Sequence, residues 1–430
     1  MKTFFATAAL AALAAATETH WAVIMAGSNT YSNYRHQADS HHAVKIMMEN
    51  GIARENIIHL AYDDIAENYR NPFKGQLFNK PTAAGTPGVN VYDKSDIDYS
   101  GSAVNKQNFL NVLLGDDSNG PALKSDENSK VFVYFVDHGG AGLICTPQGS
   151  SDWIYADELD STLQQMSDKK MFKELTFYLE ACESGSMFPN LTDKENIYAI
   201  TASNATQSSW GAYCGSEATI DGTSIGSCLG DLFSINWMED TEANDVSVET
   251  LQQQFDTVKT KTTKSPVMKF GDFSFMSEPI GDFEGTCSGD ATLTETLLAK
   301  AQHYYQQALV NTESKTSEVV DSRDHDLHFL YQRVVSEGTP EAYADLEAEL
   351  QHRQFVDGLF ATHFEDVANA PEIPQDFDCL RVMVGGVEDL CGPFSAYSLK
   401  YIRKLANMCD TKPEAVTNTL VRVGEYCGAF

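Results

Sequence analysis

The sequence predicts an α/β chain, a mainly parallel sheet with helices on both faces, followed by an all-helical C-terminal part. Three observations carry that expectation. Short apolar runs alternate with helical patterns over roughly the first 280 residues. The runs at 131–136 and 175–179 contain no charged break, which marks strands buried on both faces in central, parallel positions. Beyond about residue 289 the strand-like runs stop and helical stretches follow one another.

The elements follow in order. Residues 21–27 form a strand ending at a Gly-Ser-Asn turn. A helix covers 41–50, with Ala43, Ile46 and Met47 on one face and Gly51 as its stop. A strand at 56–62 ends in Asp63-Asp64, and a loop rich in Pro, Gly and Asn runs over 68–102. A helix at 104–114 precedes the strand at 131–136. Helical pieces at 157–165 and 171–173 form the crossover to the strand at 175–179, and strands at 197–202 and 266–270 complete the sheet. Residues 284–289 read as a linker, with helices at 292–309, 327–336, 340–364 and from 377 onward. Ligands of such sheets gather at the carboxyl ends of the strands.

Composition narrows the function. With 30 Lys and Arg against 61 Asp and Glu, the chain carries a formal charge of −31, yet 42% hydrophobic residues make it globular. That charge argues against binding nucleic acid or an anionic membrane, and only an acidic compartment would largely neutralise it. An enzyme or a protein-binding module remains. Residues 1–16 read as a secretory signal, with Lys2, an apolar stretch at 4–13 and Ala14-Ala15-Ala16 as the cleavage pattern. No later segment approaches membrane-spanning length. Secretion permits disulfides and makes Asn190 and Asn204, each in an N-x-T sequon, candidate glycosylation sites.

Two motifs lie just past buried strands. The strand at 131–136 ends in Asp137-His138-Gly139-Gly140, and that at 175–179 in Glu180-Ala181-Cys182-Glu183-Ser184-Gly185. Their spacing suits one crossover, so His138 and Cys182 are expected to emerge side by side as a thiol nucleophile and its base. The glycines after His138 and the Cys182 amide supply candidate oxyanion donors, with Gly139 and Cys182 as the pair.

These blocks, with Tyr34-Arg35-His36-Gln37-Ala38-Asp39, Tyr62-Asp63-Asp64-Ile65-Ala66 and Asn236-Trp237-Met238-Glu239-Asp240, resemble the legumain family of asparaginyl endopeptidases. The resemblance runs from about residue 20 to 273 and more loosely to the C-terminus. It implies a caspase-like core at 17–285, a linker and activation-peptide region at 286–378, and a helical prodomain at 379–430 covering the active site. It implies Cys182 as nucleophile, His138 as base and Asn33 as the third member, and a specificity pocket of Arg35, His36, Glu180, Ser209 and Asp231. Activation by self-cleavage is expected at Asn311, with Asp321, Asp324 and Asp326 as alternatives. Implied partners are Asn-containing proteins, the chain's own prodomain and cystatin-type inhibitors, without a cofactor, in an acidic lysosome-like compartment or outside the cell.

The pocket also makes chemical sense. An Asn side chain presents an acceptor oxygen and an NH₂ donor; Arg35 can donate to the first, and Glu180 and Asp231 can accept from the second. An ionised Asp would face two carboxylates, so it becomes acceptable only when acid supplies a shared proton. Glu180, Glu183 and Asp137 beside the reacting pair predict best activity below neutral pH.

Neither His36, His41 and His42 nor Asp324, His325, Asp326 and His328 show a zinc-motif spacing, so no metal is expected. Cys379, Cys391, Cys409 and Cys427 read as two disulfides with three possible connectivities. The resemblance implies Cys379–Cys409 and Cys391–Cys427, with Cys214–Cys228 closing a surface loop. Cys145, Cys182 and Cys287 remain, and the odd count of nine demands an unpaired thiol, which Cys182 supplies. Cys145 is expected buried and reduced. From Cys379 onward six basic residues face five acidic ones, so Lys400, Arg403 and Lys404 can dock a near-neutral cap on an acidic catalytic face. The alternatives weighed are an Asn-specific transpeptidase on the same scaffold, an enzyme cutting only after Asp, and a catalytically silent secreted binding protein.

Overall fold

The computed structural model describes residues 18–191, 194–285, 318–364, 367 and 372–428. Its centre is a six-stranded sheet. In chain order the strands are β1 (Thr19–Ala26), β2 (Ile57–Leu60), β3 (Ser129–Val136), β4 (Glu174–Glu180), β5 (Ile197–Thr201) and, after two short strands described below, β8 (Met268–Gly271). The spatial order is β8-β5-β4-β3-β1-β2, with every pair parallel except β8–β5. The mainly parallel sheet with helices on both faces is therefore present.

Strand alternation sends side chains to two cores. Val131, Val133 and Phe135 of β3 pack with Phe109 and Val112 of α2 (Lys106–Leu113) and with Leu159 and Leu163 of α3 (Ala156–Asp168). Phe132, Tyr134 and Val136 face the other way, onto Ala43 and Met47 of α1 (Tyr34–Glu49), Trp237 of α4 (Leu232–Ala243) and Phe255 of α5 (Leu251–Lys261). The unbroken apolar runs are thus two-sided burial.

The structure adds the direction of the last strand and corrects two expectations. The last strand runs antiparallel to β5, because the two helices α4 and α5 between them bring the chain back to the end of the sheet where β5 finishes, with Met268 beside Thr201. Strands also do not end at 289: β9 (Val320–Asp321) pairs with β6 (Trp210–Ala212), which also pairs with β7 (Gly230–Asp231). A two-residue strand has no periodicity to read. The first helix begins at Tyr34 rather than 41, since its early turns bury Arg35, His36, Gln37 and Asp39, a polar face that apolar patterning does not reveal.

The C-terminal part is helical. It comprises α6 (His325–Glu337), α7 (Pro340–His363), α8 (Phe377–Cys391), α9 (Ile402–Thr411) and α10 (Val416–Gly428). Leu359 and Phe360 of α7 share one apolar cluster with Leu380, Val384, Leu405 and Val423, so the helical unit includes α7 as well as α8, α9 and α10. Ala141, Leu143, Cys145, Trp153 and Tyr155 of the sheet domain complete that cluster. The helix expected at 292–309 lies outside the described residues.

Candidate active site

The carboxyl ends of β3 and β4 set the reacting pair. Val136 is in register with Glu180, and the Asp137 N–H donates to the Glu180 carbonyl at 3.1 Å. His138 and Cys182, each two residues past that rung, leave the sheet as neighbours. A Cβ on Gly139 would lie 2.7 Å from the Cys182 carbonyl and 3.0 Å from the Ala181 Cβ, so only glycine lets this strand end lie against the cysteine's backbone. Glu183 follows with φ 54°, a left-handed turn that breaks the strand direction at the thiol.

Asn33, just before α1, orients the histidine. Its Nδ2 donates to the Asn29 carbonyl at 2.9 Å, which turns Oδ1 toward His138 Nε2, also at 2.9 Å. Nε2 therefore carries the proton, and Nδ1 keeps a lone pair, buried and with no partner. The Cys182 thiol is fully buried, receives the Ser209 N–H at 3.3 Å and lies 3.7 Å from Ser209 Oγ. Burial pushes the thiol up, while Arg323 and the Ser209 N–H pull it down. Burial, followed by Arg35 and Arg323, pushes His138 well below the usual imidazole range. In this covered state both reacting groups are neutral.

Beside the pair lies a charged pocket. Arg35, fully buried, donates from Nε to Asp231 Oδ1 at 2.9 Å and from Nη1 to Asn33 Oδ1 at 3.4 Å. Glu180 Oε2 accepts from the Ser234 N–H at 3.1 Å and its hydroxyl at 3.0 Å, in the first turn of α4. Asp39 accepts from the Asp231 N–H at 3.0 Å and from Asn79 at 2.6 Å. His36 Nδ1 bonds Ser28 Oγ at 2.6 Å, and its Nε2 lies 3.6 Å from Asp231 Oδ2. Within this pocket, Arg35 Nη2, Glu180 Oε1 and Asp231 Oδ2 are buried without a hydrogen-bond partner. Burial, with Asp231 nearby, raises Glu180 and Asp39 well above the carboxylate range, and burial lifts Asp137 to about 8.

The chain's own C-terminal part covers the site. β9 lies antiparallel on β6, and the Ser322 N–H continues the ladder to the Ser209 carbonyl at 3.1 Å. Ser322 Oγ is 3.2 Å from Ser209 Oγ. Arg323 reaches Glu183 Oε1 at 3.4 Å, and Arg403 of α9 clamps Glu183 Oε2 through Nη2 at 2.7 Å and Nε at 3.1 Å. His325 is buried against Gly211, where no side chain would fit. Ile402 closes over Gly140.

All nine residues expected at the reacting centre and pocket are thus gathered: Asn33, Arg35, His36, His138, Gly139, Glu180, Cys182, Ser209 and Asp231. Of the expected docking cations, Arg403 meets the catalytic face, whereas Lys400 pairs with Asp357 inside the helical part. Among the described residues the disulfides are Cys214–Cys228, Cys379–Cys409 and Cys391–Cys427, and Cys145 is buried and free. Asn190 is exposed, and Asn204 is half-buried with Oδ1 accepting the Thr206 N–H. Asn311 and Cys287 lie outside the described residues.

His36, Asp137 and His138 bring ligand-type atoms within 4.8 Å of one another, but Ser28 and Asn33 already engage one nitrogen of each ring. Among the described residues, no helix is long and apolar enough to cross a membrane. Sequence reasoning missed the supporting roles of Ser28 and Asp39 and the covering roles of Arg323 and His325. The signal for Ser28 and Asp39 was proximity to the strand end and to Arg35; for Arg323 and His325 there was none.

Comparison with known proteins bears directly on this arrangement. Residues 20–286 match the Peptidase C13 family, and residues 346–422 match the legumain prodomain. The vacuolar-processing enzyme delta-isozyme of Arabidopsis thaliana is 36% identical over 441 aligned residues, covering 95% of this chain and 90% of that protein. The vacuolar-processing enzyme of Vicia sativa is 38% identical over 421, covering 91% and 82%. Among solved structures, caspase-1 from Spodoptera frugiperda aligns with TM-score 0.33 and 9% identity, covering 64% of this chain and 91% of that one.

Proposed function

This chain belongs to the legumain family, Peptidase C13, and is a cysteine endopeptidase carrying a prodomain; from that premise we propose that it cleaves polypeptides after Asn, and after Asp only in acid. It is made as an acid-activated zymogen for a vacuole- or lysosome-like compartment of the secretory pathway, the compartment that its relatives' names indicate.

The observation that carries the specificity is the set of unpartnered pocket atoms. One guanidinium donor, Arg35 Nη2, and two carboxyl oxygens, Glu180 Oε1 and Asp231 Oδ2, are the complement of a primary carboxamide. Leaving them unpaired is costly, so a side chain that satisfies all three is favoured over one that does not, on the order of 10⁴-fold.

The chemistry follows from the pair. The Cys182 thiol gives its proton to His138 Nδ1, the free nitrogen, and sulfur attacks the carbonyl carbon on the acyl side of the scissile bond. Asn33 holds the ring through Nε2–H and steadies the imidazolium. The Gly139 and Cys182 N–H groups stabilise the oxyanion. His138 then protonates the departing amine, leaving a thioester that water, with His138 as base, hydrolyses to regenerate the thiol.

The test is turnover of an Ala-Ala-Asn reporter by the acid-treated chain. Activity is expected to vanish in Cys182→Ala and to fall at least about 100-fold in Arg35→Ala, a buried charge-assisted contact. Undiminished turnover in Cys182→Ala overturns the reading.

A further inference from the structure

The covering segment shows more of the cleft than the site where the bond breaks. Ser322 bonds the Ser209 carbonyl next to Cys182, so it stands where the residue before a scissile bond would stand. Counting back, Asp321 and Val320 pair with Trp210 and Gly211. Val319 packs with Trp210, Ala212, Tyr213, Leu232 and Ile235, a small apolar cluster separate from the main cores. The segment then continues to Glu318, and there the binding becomes specific.

Every part of Glu318 is met by the loop after β6. Its carbonyl accepts the Cys214 N–H at 3.1 Å, and its N–H donates to Glu217 Oε2 at 2.6 Å. Its carboxylate accepts the Ser216 N–H at 3.1 Å and the Ser216 hydroxyl at 3.2 Å. Gly215, at φ 52°, has no side chain, and the space a Cβ would need is filled by that carboxylate. The Cys214–Cys228 disulfide ties down the start of this loop. The loop therefore offers donors to the side chain and is shaped around an acidic group, although Glu217 stands beside it with its own carboxylate turned to the backbone.

We infer that the loop Cys214–Glu217 is a substrate subsite that selects an acidic side chain at the fifth residue on the acyl side of the scissile bond, with an apolar residue preferred between it and the cleft centre at the Val319 position. This rests on the proteolytic reading above. The covering segment uses the subsite in the closed chain, and substrate uses it once that segment has left. A lysine there would place an ammonium against two donors, with only Glu217 to attract it.

The test uses the full chain processed at acid pH and peptides of the form Xaa-Val-Val-Ala-Asn-reporter, with Xaa Glu, Ala or Lys. The glutamate peptide is expected to exceed the alanine peptide in kcat/KM by about fivefold, and the lysine peptide to be poorest, the size of a half-exposed charge-assisted contact. In Ser216→Asp the glutamate advantage should vanish or reverse, read as the ratio of the two peptides within one enzyme. Equal turnover of all three peptides, a preference for lysine, or an unchanged ratio in Ser216→Asp overturns the subsite. Failure to cleave the short Ala-Ala-Asn reporter at all would instead sink the proteolytic specificity on which it rests.

Discussion

Glu183, the residue after Cys182, is held by Arg403 of α9, with Oε2 2.7 Å from Nη2 and 3.1 Å from Nε. Both side chains are largely buried. The helical part therefore grips the peptidase domain one residue from the proposed nucleophile, and the Arg403 guanidinium also reaches the Glu372 and Ala205 carbonyls.

Breaking that clamp should open the chain. Arg403→Ala leaves Glu183 buried with only Arg323 at 3.4 Å, a loss of about 2–5 kcal/mol at the interface. Self-processing, followed by gel mobility over time, is expected at a higher pH and faster than in the wild type. Unchanged processing would show that the apolar contacts around Ile402 hold the cap alone.

His325 should set part of the pH response. It is buried, faces Arg35 and neutral His138 from the peptidase domain and His328 from its own helix, and its Nε2 has no partner. Burial first, then those neighbours, hold it well below the usual imidazole range in the closed chain. A depressed base binds its proton more readily after release, so closure is unaffected above about pH 6.5 and weakens as pH falls below it. His325→Gln should therefore need more acid to open, a downward shift in the activation midpoint of about half a pH unit or more. A midpoint that stays put contradicts this.

Ser322 occupies the position of a residue to be cleaved but is too short to fill a carboxamide pocket. Ser322→Asn should turn the cover into a substrate, with cutting between 322 and 323 detected by intact mass. Adding Cys182→Ala should abolish the new fragment. If the fragment persists in the double variant, another protease made it.

Asn33 joins two functions, since its Oδ1 accepts from both His138 and Arg35. Asn33→Ala should lower kcat by roughly 10–100-fold through a misoriented imidazole, with a smaller rise in KM. A change confined to KM would make Asn33 a pocket residue only.

The two-sided apolar strands made the sheet centre legible, and the DHG and EACESG ends of β3 and β4 then fixed which residues meet at its edge. The pocket was legible through the family resemblance and through the match of Arg35, Glu180 and Asp231 to an amide. Periodicity failed where burial is polar, at the start of α1, and where pairing is long-range and short, at β9. The direction of β8 depends on how many helices intervene, which local patterning does not weigh. Arg323 and His325 gain their roles only because β9 docks, a contact about a hundred residues away from β6 in the chain.

The central claim is an Asn-selective pocket built from Arg35, Glu180 and Asp231, and the ratio of kcat/KM for Ala-Ala-Asn over Ala-Ala-Asp reporters across pH tests it most directly. Glu180 is held well above the carboxylate range by burial and by Asp231, and Asp231 is raised by burial, so the pocket can share protons with an acidic substrate. The ratio is predicted to exceed about 100 near pH 7 and to fall steadily toward about pH 4, as the substrate carboxyl becomes neutral. An Asp reporter cleaved as well as the Asn reporter at pH 7, or a ratio that does not move with pH, would contradict it.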